Sequence, residues 1–273
     1  IVLAAGFGTR MNSILPKVLH PIAGRPMILK LLDSLIQIDP DRIVLVIGPD
    51  MEPVSDAIEA AGYNFEIVIQ QDRLGTGHAV QQAEKVLPGF KGNVLVLYGD
   101  SPLIKSNTLE NMLDARSQQN DPAVVVLGFR TSNGGDYGRL VRDKTGNLEA
   151  IVEKAEASED DILSDLCNSG VMVIDGTILN DLVSKLSNKN AKGEFYLTDI
   201  VQIARQCDRD CCVVEGDEEE LIGINSRVEL ALAETITQDR LRELAMENGA
   251  TLVDPSSIYF SSDTKVGQDV TIG

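Results

Sequence analysis

The sequence predicts an α/β protein built on a mostly parallel β-sheet flanked by helices on both faces. Two observations lead there. Five apolar, β-rich runs, at 1–5, 42–47, 65–69, 93–98 and 123–129, each lead into turn signals. Between them lie helix-period segments, the clearest placing Met27, Ile28, Leu31, Leu32, Leu35 and Ile36 on one face. Strand, helix, strand repeated in this way implies right-handed crossovers. In such sheets ligands gather at the carboxyl ends of the strands, so the residues after each run are where function is sought.

Beyond about residue 138 the pattern loosens. Residues 139–142 and 148–152 flank Asp143-Lys144-Thr145-Gly146-Asn147 and read as a β-hairpin, 171–174 as a further strand and 226–248 as a long helix. At the end, Val266-Gly267 and Ile272-Gly273 stand six residues apart, the period of hexapeptide β-helix repeats. About three repeats are needed for such a stack to be stable, and a strand-turn-strand tail fits the spacing nearly as well.

At 273 residues and 43 % apolar content, the chain can fill the core of one large α/β domain, or of a domain with an appended piece. Its 42 acidic against 24 basic residues give a net charge of −18, which repels a phosphate backbone and argues against nucleic-acid binding. Yet residues 1–32 contain no Asp or Glu and carry Arg10, Lys17, Arg25 and Lys30. Such a cationic island suits an anionic small-molecule site, although an ordinary solvated face fits the charge count too. Cys167, Cys207, Cys211 and Cys212 form neither a CxxC pair nor a secreted disulfide pattern, so reduced structural thiols in a cytoplasmic protein are expected. No apolar run approaches the roughly 20 residues that span a bilayer, so no membrane insertion is expected. No signal peptide is read, and Ile1 lies inside an apolar run, which suggests that the numbering starts within a strand of a longer chain.

The first run leads into Leu3-Ala4-Ala5-Gly6-Phe7-Gly8-Thr9-Arg10-Met11. This turn lacks the third glycine of the dinucleotide fingerprint and the Gly-Lys-Ser/Thr of a Walker loop. What it offers is backbone N–H groups that an anion can approach closely, because Gly6 and Gly8 interpose no side chain. Arg10 can fork onto two phosphate oxygens, and Lys17, after the bend at Leu15-Pro16, can lie along a triphosphate as a mobile point charge. Solubility is the competing role for both.

The fourth run ends in Tyr98-Gly99-Asp100. Mg²⁺ is held by one or two carboxylates together with substrate phosphates and waters, so a strand-end Asp near a phosphate loop suits it. An Asx turn into Ser101-Pro102 suits the same residue. Ser226 and Glu229 form a capping box for the long helix, leaving the Asn225 amide oxygen to complete a metal shell without added charge, or to serve a turn. Gln70, Gly75 and Thr76 follow the third run, where an amide and a glycine-lined edge can read a nucleobase; Thr76 is equally a helix cap. Glu153, Asn168, Tyr196 and Thr198 supply the polar partners that sugar hydroxyls need on leaving water. Glu153 also borders the acidic stretch 156–161, and Thr198 can cap a helix starting at Asp199.

Leu3 to Met11, followed by Pro16-Lys17-Val18-Leu19-His20, resembles the signature of sugar-1-phosphate nucleotidylyltransferases. Gln70, Leu74-Gly75-Thr76-Gly77-His78-Ala79, Tyr98-Gly99-Asp100, Tyr137-Gly138-Arg139, Ile151-Val152-Glu153, Asn168-Ser169-Gly170, Gly193-Glu194-Phe195-Tyr196-Leu197-Thr198-Asp199 and Asn225 extend the likeness. Over 1–273 the chain is similar to the bacterial bifunctional N-acetylglucosamine-1-phosphate uridylyltransferases. That resemblance implies a Rossmann-like fold of the nucleotide-diphospho-sugar transferase type over 1–225, a linker helix over 226–250 and the start of a truncated left-handed β-helix over 251–273. It implies Mg²⁺-dependent transfer of a uridylyl group from UTP to N-acetylglucosamine 1-phosphate, giving UDP-N-acetylglucosamine and pyrophosphate for peptidoglycan and lipopolysaccharide precursors.

By the same resemblance, Arg10 and Lys17 are catalytic at the phosphates, and Asp100 and Asn225 hold Mg²⁺. Leu3, Ala4, Ala5, Gly6, Gly8, Gln70, Gly75 and Thr76 bind the nucleotide. Gly138, Glu153, Asn168, Tyr196 and Thr198 line the sugar pocket, and Tyr98 and Gly99 join the substrate-binding set. His20 and His78 are expected to be structural. Arg73 stands where some relatives have glutamine near the base, so no uridine contact is assigned to it. The β-helix that carries acetyl transfer and trimer formation stops after its first turn; no acetylation is expected of this chain, which is expected to be monomeric where the longer protein is a homotrimer. Two rivals remain at this point: a glucose-1-phosphate uridylyl- or thymidylyltransferase using the same loop, and a non-catalytic nucleotide-sugar-binding domain.

Overall fold

The computed structural model of the chain describes residues 1–118, 120–132, 134–158 and 164–273; positions 159–161 of the acidic stretch lie outside the described residues. In chain order the strands are β1 (Val2–Leu3), β2 (Pro21–Ile22), β3 (Arg25–Pro26), β4 (Val44–Ile47), β5 (Glu66–Ile69), β6 (Asn93–Tyr98) and β7 (Val124–Arg130). They continue as β8 (Arg139–Arg142), β9 (Leu148–Val152), β10 (Leu166–Asp175), β11 (Cys211–Glu215), β12 (Thr251–Leu252) and β13 (Thr271–Ile272). The main sheet runs β11-β7-β10-β6-β1-β4-β5, with the β8–β9 hairpin attached to β10. Around β1 the pairing is parallel, to β4 on one side and β6 on the other; β5 also pairs in parallel with β4, and β11 with β7. β10 alone on this path runs antiparallel to both neighbours.

The expected sheet is therefore present; only 171–174 of β10 was expected from the sequence, and β11 was not. Only the half of β10 at 171–174 is continuously apolar; its first half carries Asn168, Ser169 and Gly170, and a register shift against β7 falls between Asn168 and Met172. Such a bulge interrupts the ladder and re-aims side chains, which hides a strand from alternation counts. β11 was not anticipated either, because its Cys211-Cys212-Val213-Val214 run is short and sits at the edge beside β7.

Central strands buried on both faces explain the continuous apolar runs. In β4, Leu45 and Ile47 enter one layer while Val44 and Val46 enter the other. The first layer is completed by α1 (Met27–Leu35), α2 (Glu52–Ala60) and α4 (Ser106–Arg116), through residues such as Ile28, Leu31, Val54, Ile58, Leu109 and Met112. α3 (Thr76–Glu84) and the helices Leu179–Val183 and Asp199–Gln206 cover the second. Each fully buried Leu or Ile contributes about 1.5–3 kcal/mol, enough to make this layering the dominant organising force.

The long helix Arg227–Glu247 starts at the Ser226 cap, whose hydroxyl accepts from the Glu229 N–H. Glu229 returns the bond one residue earlier than in a standard capping box, its carboxylate accepting from the Asn225 N–H at 2.7 Å. The helix packs Ala233 against Ile22, Met27, Leu103 and Ile224, and Gln238 is bonded to the Phe260 backbone at both ends of its amide. β12 and β13 pair in parallel beside it as a separate two-stranded sheet. Among the described residues, no helix is long and apolar enough to cross a membrane.

Candidate active site

A cleft of about 620 Å³ opens at the carboxyl ends of β1, β5 and β6. β1 lies where the chain order reverses between β4 and β6, the point at which open α/β sheets leave a crevice. One wall is the loop after β1: Leu3, Ala4, Ala5, Gly6 and Phe7 line it, with Lys17 alongside. Gly8 lies just outside the lining and acts through contact. Its φ is +63°, and a Cβ there would lie 2.6 Å from the Lys17 Cβ, so the loop rests directly on the lysine stem.

The Lys17 ammonium donates to the Asp100 carboxylate and, at 2.9 Å, to the Asn225 side-chain oxygen. Lys17 and Asp100 side chains are only 12 % and 16 % exposed. Backbone bonding brings the distant Asn225 here, because the Ile224 N–H donates to the Asp100 carbonyl at 2.9 Å. The Asx-turn alternative for Asp100 gives way to this ion pair. Asn225 is likewise not a free side chain: besides meeting Lys17, its amide donates to the Gly223 carbonyl at 3.3 Å.

A cationic group seated between a carboxylate and an amide oxygen marks a position suited to cations, and these hard oxygen donors fit a divalent ion completed by phosphates and water. Among the described residues, no group of three or more His, Cys, Asp or Glu could hold a metal by itself. Asp100 and Asn225 are thus the residues that would hold it, sharing the ion with substrate oxygens.

The segment after β5 forms the next wall. Gln70 is buried and donates to the Gly75 carbonyl at 3.0 Å, with His78 3.2 Å away. Gly75, at φ +102°, allows close approach of the Phe195 carbonyl, which a Cβ would meet at 2.6 Å. Three bonds join this wall to the second half of the chain: Phe195 N–H to Leu74 O, Gly77 N–H to Phe195 O, and Leu197 N–H to the Thr76 hydroxyl oxygen. Thr76 therefore ties the two halves together and makes no side-chain cap for α3.

Opposite lie Tyr98, Gly138, Glu153, Asn168, Tyr196 and Thr198. Thr198 donates its hydroxyl to Glu153 at 3.0 Å and, contrary to expectation, does not cap the helix after it. Asn168 is turned by the β10 bulge and accepts from the Gly170 N–H at 2.9 Å. Burial pushes the Tyr98 phenol well above its usual range, so it remains a neutral hydroxyl, bonded to Thr76. At the mouth, Asp136 and Lys154 form an exposed ion pair at 2.6 Å, and the Lys154 hydrogen bond holds the Asp136 carboxyl below its ordinary value.

Fifteen of the residues singled out from sequence thus share one cleft. Four do not line it: Gly8 and Asn225 touch Lys17, Gly99 packs behind, where a Cβ would sit 3.0 Å from Ile28 and Val18, and Arg10 is exposed on the loop. Phe7, Arg73, Asp136, Tyr137, Ser169, Gly170 and Glu194 line it without having been assigned a role; five of them lie inside a quoted motif and Arg73 and Asp136 adjoin one, which was the available signal. His20 is buried, 3.3 Å from Arg227, and its charged form is disfavoured first by burial and then by that arginine. His78 lies between Gln70 and Gln82.

The sequence profile of the MobA-like NTP transferase domain matches residues 1–163. The chain belongs to this NTP transferase family. Its fold resembles a crystal structure of UDP-glucose pyrophosphorylase complexed with UDP-glucose, with a TM-score of 0.72 at 18 % identity, covering 88 % of this chain and 97 % of that one. Among curated proteins it is 58 % identical over 272 residues to the bifunctional protein GlmU of Paramagnetospirillum magneticum, and 55 % identical over 271 residues to that of Rhodospirillum rubrum. This NTP transferase spans 60 % of the length of those two relatives, and they cover 100 % and 99 % of it. The chain is accordingly a nucleotidyltransferase enzyme, of a family that generally uses a divalent metal.

Proposed function

We propose that the chain transfers a uridylyl group from UTP to N-acetylglucosamine 1-phosphate, releasing pyrophosphate and UDP-N-acetylglucosamine for cell-wall and lipopolysaccharide precursors, with Mg²⁺ as the metal. The observation that carries this reading is the meeting of the glycine loop, Lys17, Asp100 and Asn225 beside a wall bearing Glu153, Asn168, Tyr196 and Thr198. High identity to the bifunctional GlmU relatives supports the choice of base and sugar.

In this reaction a phosphate oxygen of the sugar phosphate attacks the α-phosphorus of UTP, and the bond from that phosphorus to the bridging oxygen of the pyrophosphate breaks. The nucleophile is already an anion, so the protein supplies no general base. Its task is to hold two mutually repelling anions in line. Loop amides at Ala4 to Gly8 cradle phosphate, Lys17 balances the charge gathering on the leaving pyrophosphate, and Gln70, Gly75 and Thr76 seat the nucleoside; Arg10, exposed outside the cleft lining, would add its charge by swinging inward. Glu153, Asn168, Tyr196 and Thr198 replace water around the sugar hydroxyls. A divalent ion at Asp100 and Asn225 supplies further charge neutralisation when bound.

The same reading takes 1–225 as the transferase domain, 226–250 as a linker helix and 251–273 as the start of a left-handed β-helix. Parallel β12–β13 pairing and the six-residue spacing support that last part. We place the protein in the cytoplasm, the longer form as a homotrimer and the 273-residue chain as a monomer. Pyrophosphate release from UTP with N-acetylglucosamine 1-phosphate, set against dTTP or UTP with glucose 1-phosphate, with and without Mg²⁺, tests the reading. Preference for the first pair is expected, lost on chelation; preference for a glucose 1-phosphate pair overturns the substrate assignment.

A further inference from the structure

We propose that Arg73 is a positioning residue that clamps the loop at 4–8 in its nucleotide-receiving shape, using Phe7 as the other jaw. The inference rests on the loop being the nucleotide cradle, as read above.

Arg73 belongs to the segment between β5 and α3, yet its side chain reaches the end of β1. Its Nε–H donates to the Ala5 carbonyl at 2.6 Å, and the guanidinium carbon lies 3.6 Å from the centroid of the Phe7 ring. The same group lies close against Gly48, just after β4: a Cβ there would be 2.0 Å from an Arg73 terminal nitrogen. One side chain thereby joins the carboxyl ends of three adjacent parallel strands, β1, β4 and β5.

The loop needs such a support. Before it, the Ala4 N–H is held by Val46 O at 2.8 Å, and after it the Met11 N–H closes on Gly8 O at 2.8 Å. Between these anchors the chain runs through Gly6 and Gly8, the most conformationally permissive residue type, and carries a Phe7 that is 69 % exposed. An aromatic ring left in water without cause is unfavourable; under a guanidinium it becomes one face of a cation–π stack. Arginine suits this task where lysine does not, because its planar group can donate along its edge to Ala5 while stacking by its face on Phe7. Fixing the loop before the ligand arrives removes an ordering cost from binding, so the benefit falls on nucleotide affinity.

The test uses Arg73→Met, Arg73→Lys, Phe7→Ala and the Arg73→Met/Phe7→Ala double variant of the 273-residue chain. Calorimetry of UTP binding and steady-state kinetics are read together with amide hydrogen exchange at 4–8. Arg73→Met is expected to weaken UTP binding about 5- to 20-fold and to raise KM for UTP, with KM for the sugar phosphate and kcat within about twofold. Arg73→Lys recovers little of this, and the double variant loses no more than Arg73→Met, since both remove one contact. Loop amides exchange faster in every variant. Unchanged UTP affinity and unchanged loop exchange in Arg73→Met overturn the clamp, as does a lowered melting temperature with both KM values unaltered. If the wild-type chain binds no UTP, the uridylyltransferase reading fails instead, and loop exchange alone then decides the clamp.

Discussion

Lys17 and Asp100, 83 positions apart, share an ion pair at the floor of the cleft, and Asn225 accepts a second bond from the same ammonium. The two oxygens proposed to hold a metal are therefore already held by a cation of the protein. Two cations cannot share that position, so a metal and the Lys17 head compete for it. Lys17→Met is expected to cut kcat/KM about 100-fold or more, in line with removal of one transition-state charge partner, while tightening Mn²⁺ binding to the nucleotide-free protein. Paramagnetic titration of Mn²⁺ checks the second part. Weaker Mn²⁺ binding in Lys17→Met contradicts the competition.

Asp100→Ala removes the charged member of the same group. Metal-dependent turnover should fall by about 100-fold or more with the circular dichroism spectrum retained. Unchanged pyrophosphate release from this variant sinks the metal assignment.

Gly8→Ala tests how closely the loop rests on Lys17. A left-handed backbone costs alanine roughly 1 kcal/mol, and the new Cβ would lie 2.6 Å from the lysine stem. A small drop in melting temperature, about 2–4 °C, should accompany a much larger loss of turnover, because the stem must shift to relieve the contact. Calorimetric melting and an activity assay on one preparation separate the two effects.

Asp175, at the far end of β10, pairs with Arg116 at 3.0 Å, both side chains 8 % exposed. Burial pushes the Asp175 carboxyl up, but the Thr177 hydroxyl and N–H bonds, with Arg116 and Arg209, outweigh it and leave its value lowered. A carboxyl lowered by folding stabilises the protein above its unfolded value, about 3.9, and loses that contribution as pH falls through the folded value. Asp175→Asn should cost about 1–3 kcal/mol at neutral pH, because Arg116 loses its buried carboxylate and keeps only the exposed Asp121. Denaturant melts should show that gap narrowing only below about pH 4. A gap that closes between pH 6 and 8 contradicts the assignment.

The four thiols should differ sharply in reactivity. Burial pushes the Cys211 thiol up to about 12 and raises that of Cys167, whereas Cys207 is exposed and 3.3 Å from the Lys185 ammonium. Alkylation at pH 8 followed by mass mapping should label Cys207 first, with Cys167 and Cys211 labelled only after unfolding. Early labelling of Cys211 is the contrary result.

Much of the site was legible because it sits where the α/β pattern says a site must sit. Leu3 and Tyr98 end strands at the carboxyl edge, and Gln70 and Asp100 come just after such ends, so strand periodicity alone placed them together. The roles given to Thr76 and Thr198 were less secure, since a threonine at a helix start reads as a cap until its partner is known. Here the partners are Leu197 and Glu153, from 121 and 45 positions away. Arg73 was given no uridine contact because it stands where some relatives have glutamine, and local sequence says nothing about its bond to a carbonyl 68 residues earlier.

By itself, the sequence determined the sheet's parallel runs, its covering helices, the glycine loop and the chemical types of the cleft residues. Those are properties of short-range pattern: alternation, helical period and the space that glycine leaves. Tertiary structure alone decided that Lys17 closes on Asp100 and Asn225, that β10 runs against its neighbours with a bulge turning Asn168 into the cleft, and that Arg10 stands outside it. Each of those depends on which distant segments the folded chain packs side by side, and the free energy that selects them is the burial of two apolar layers that no single segment can form.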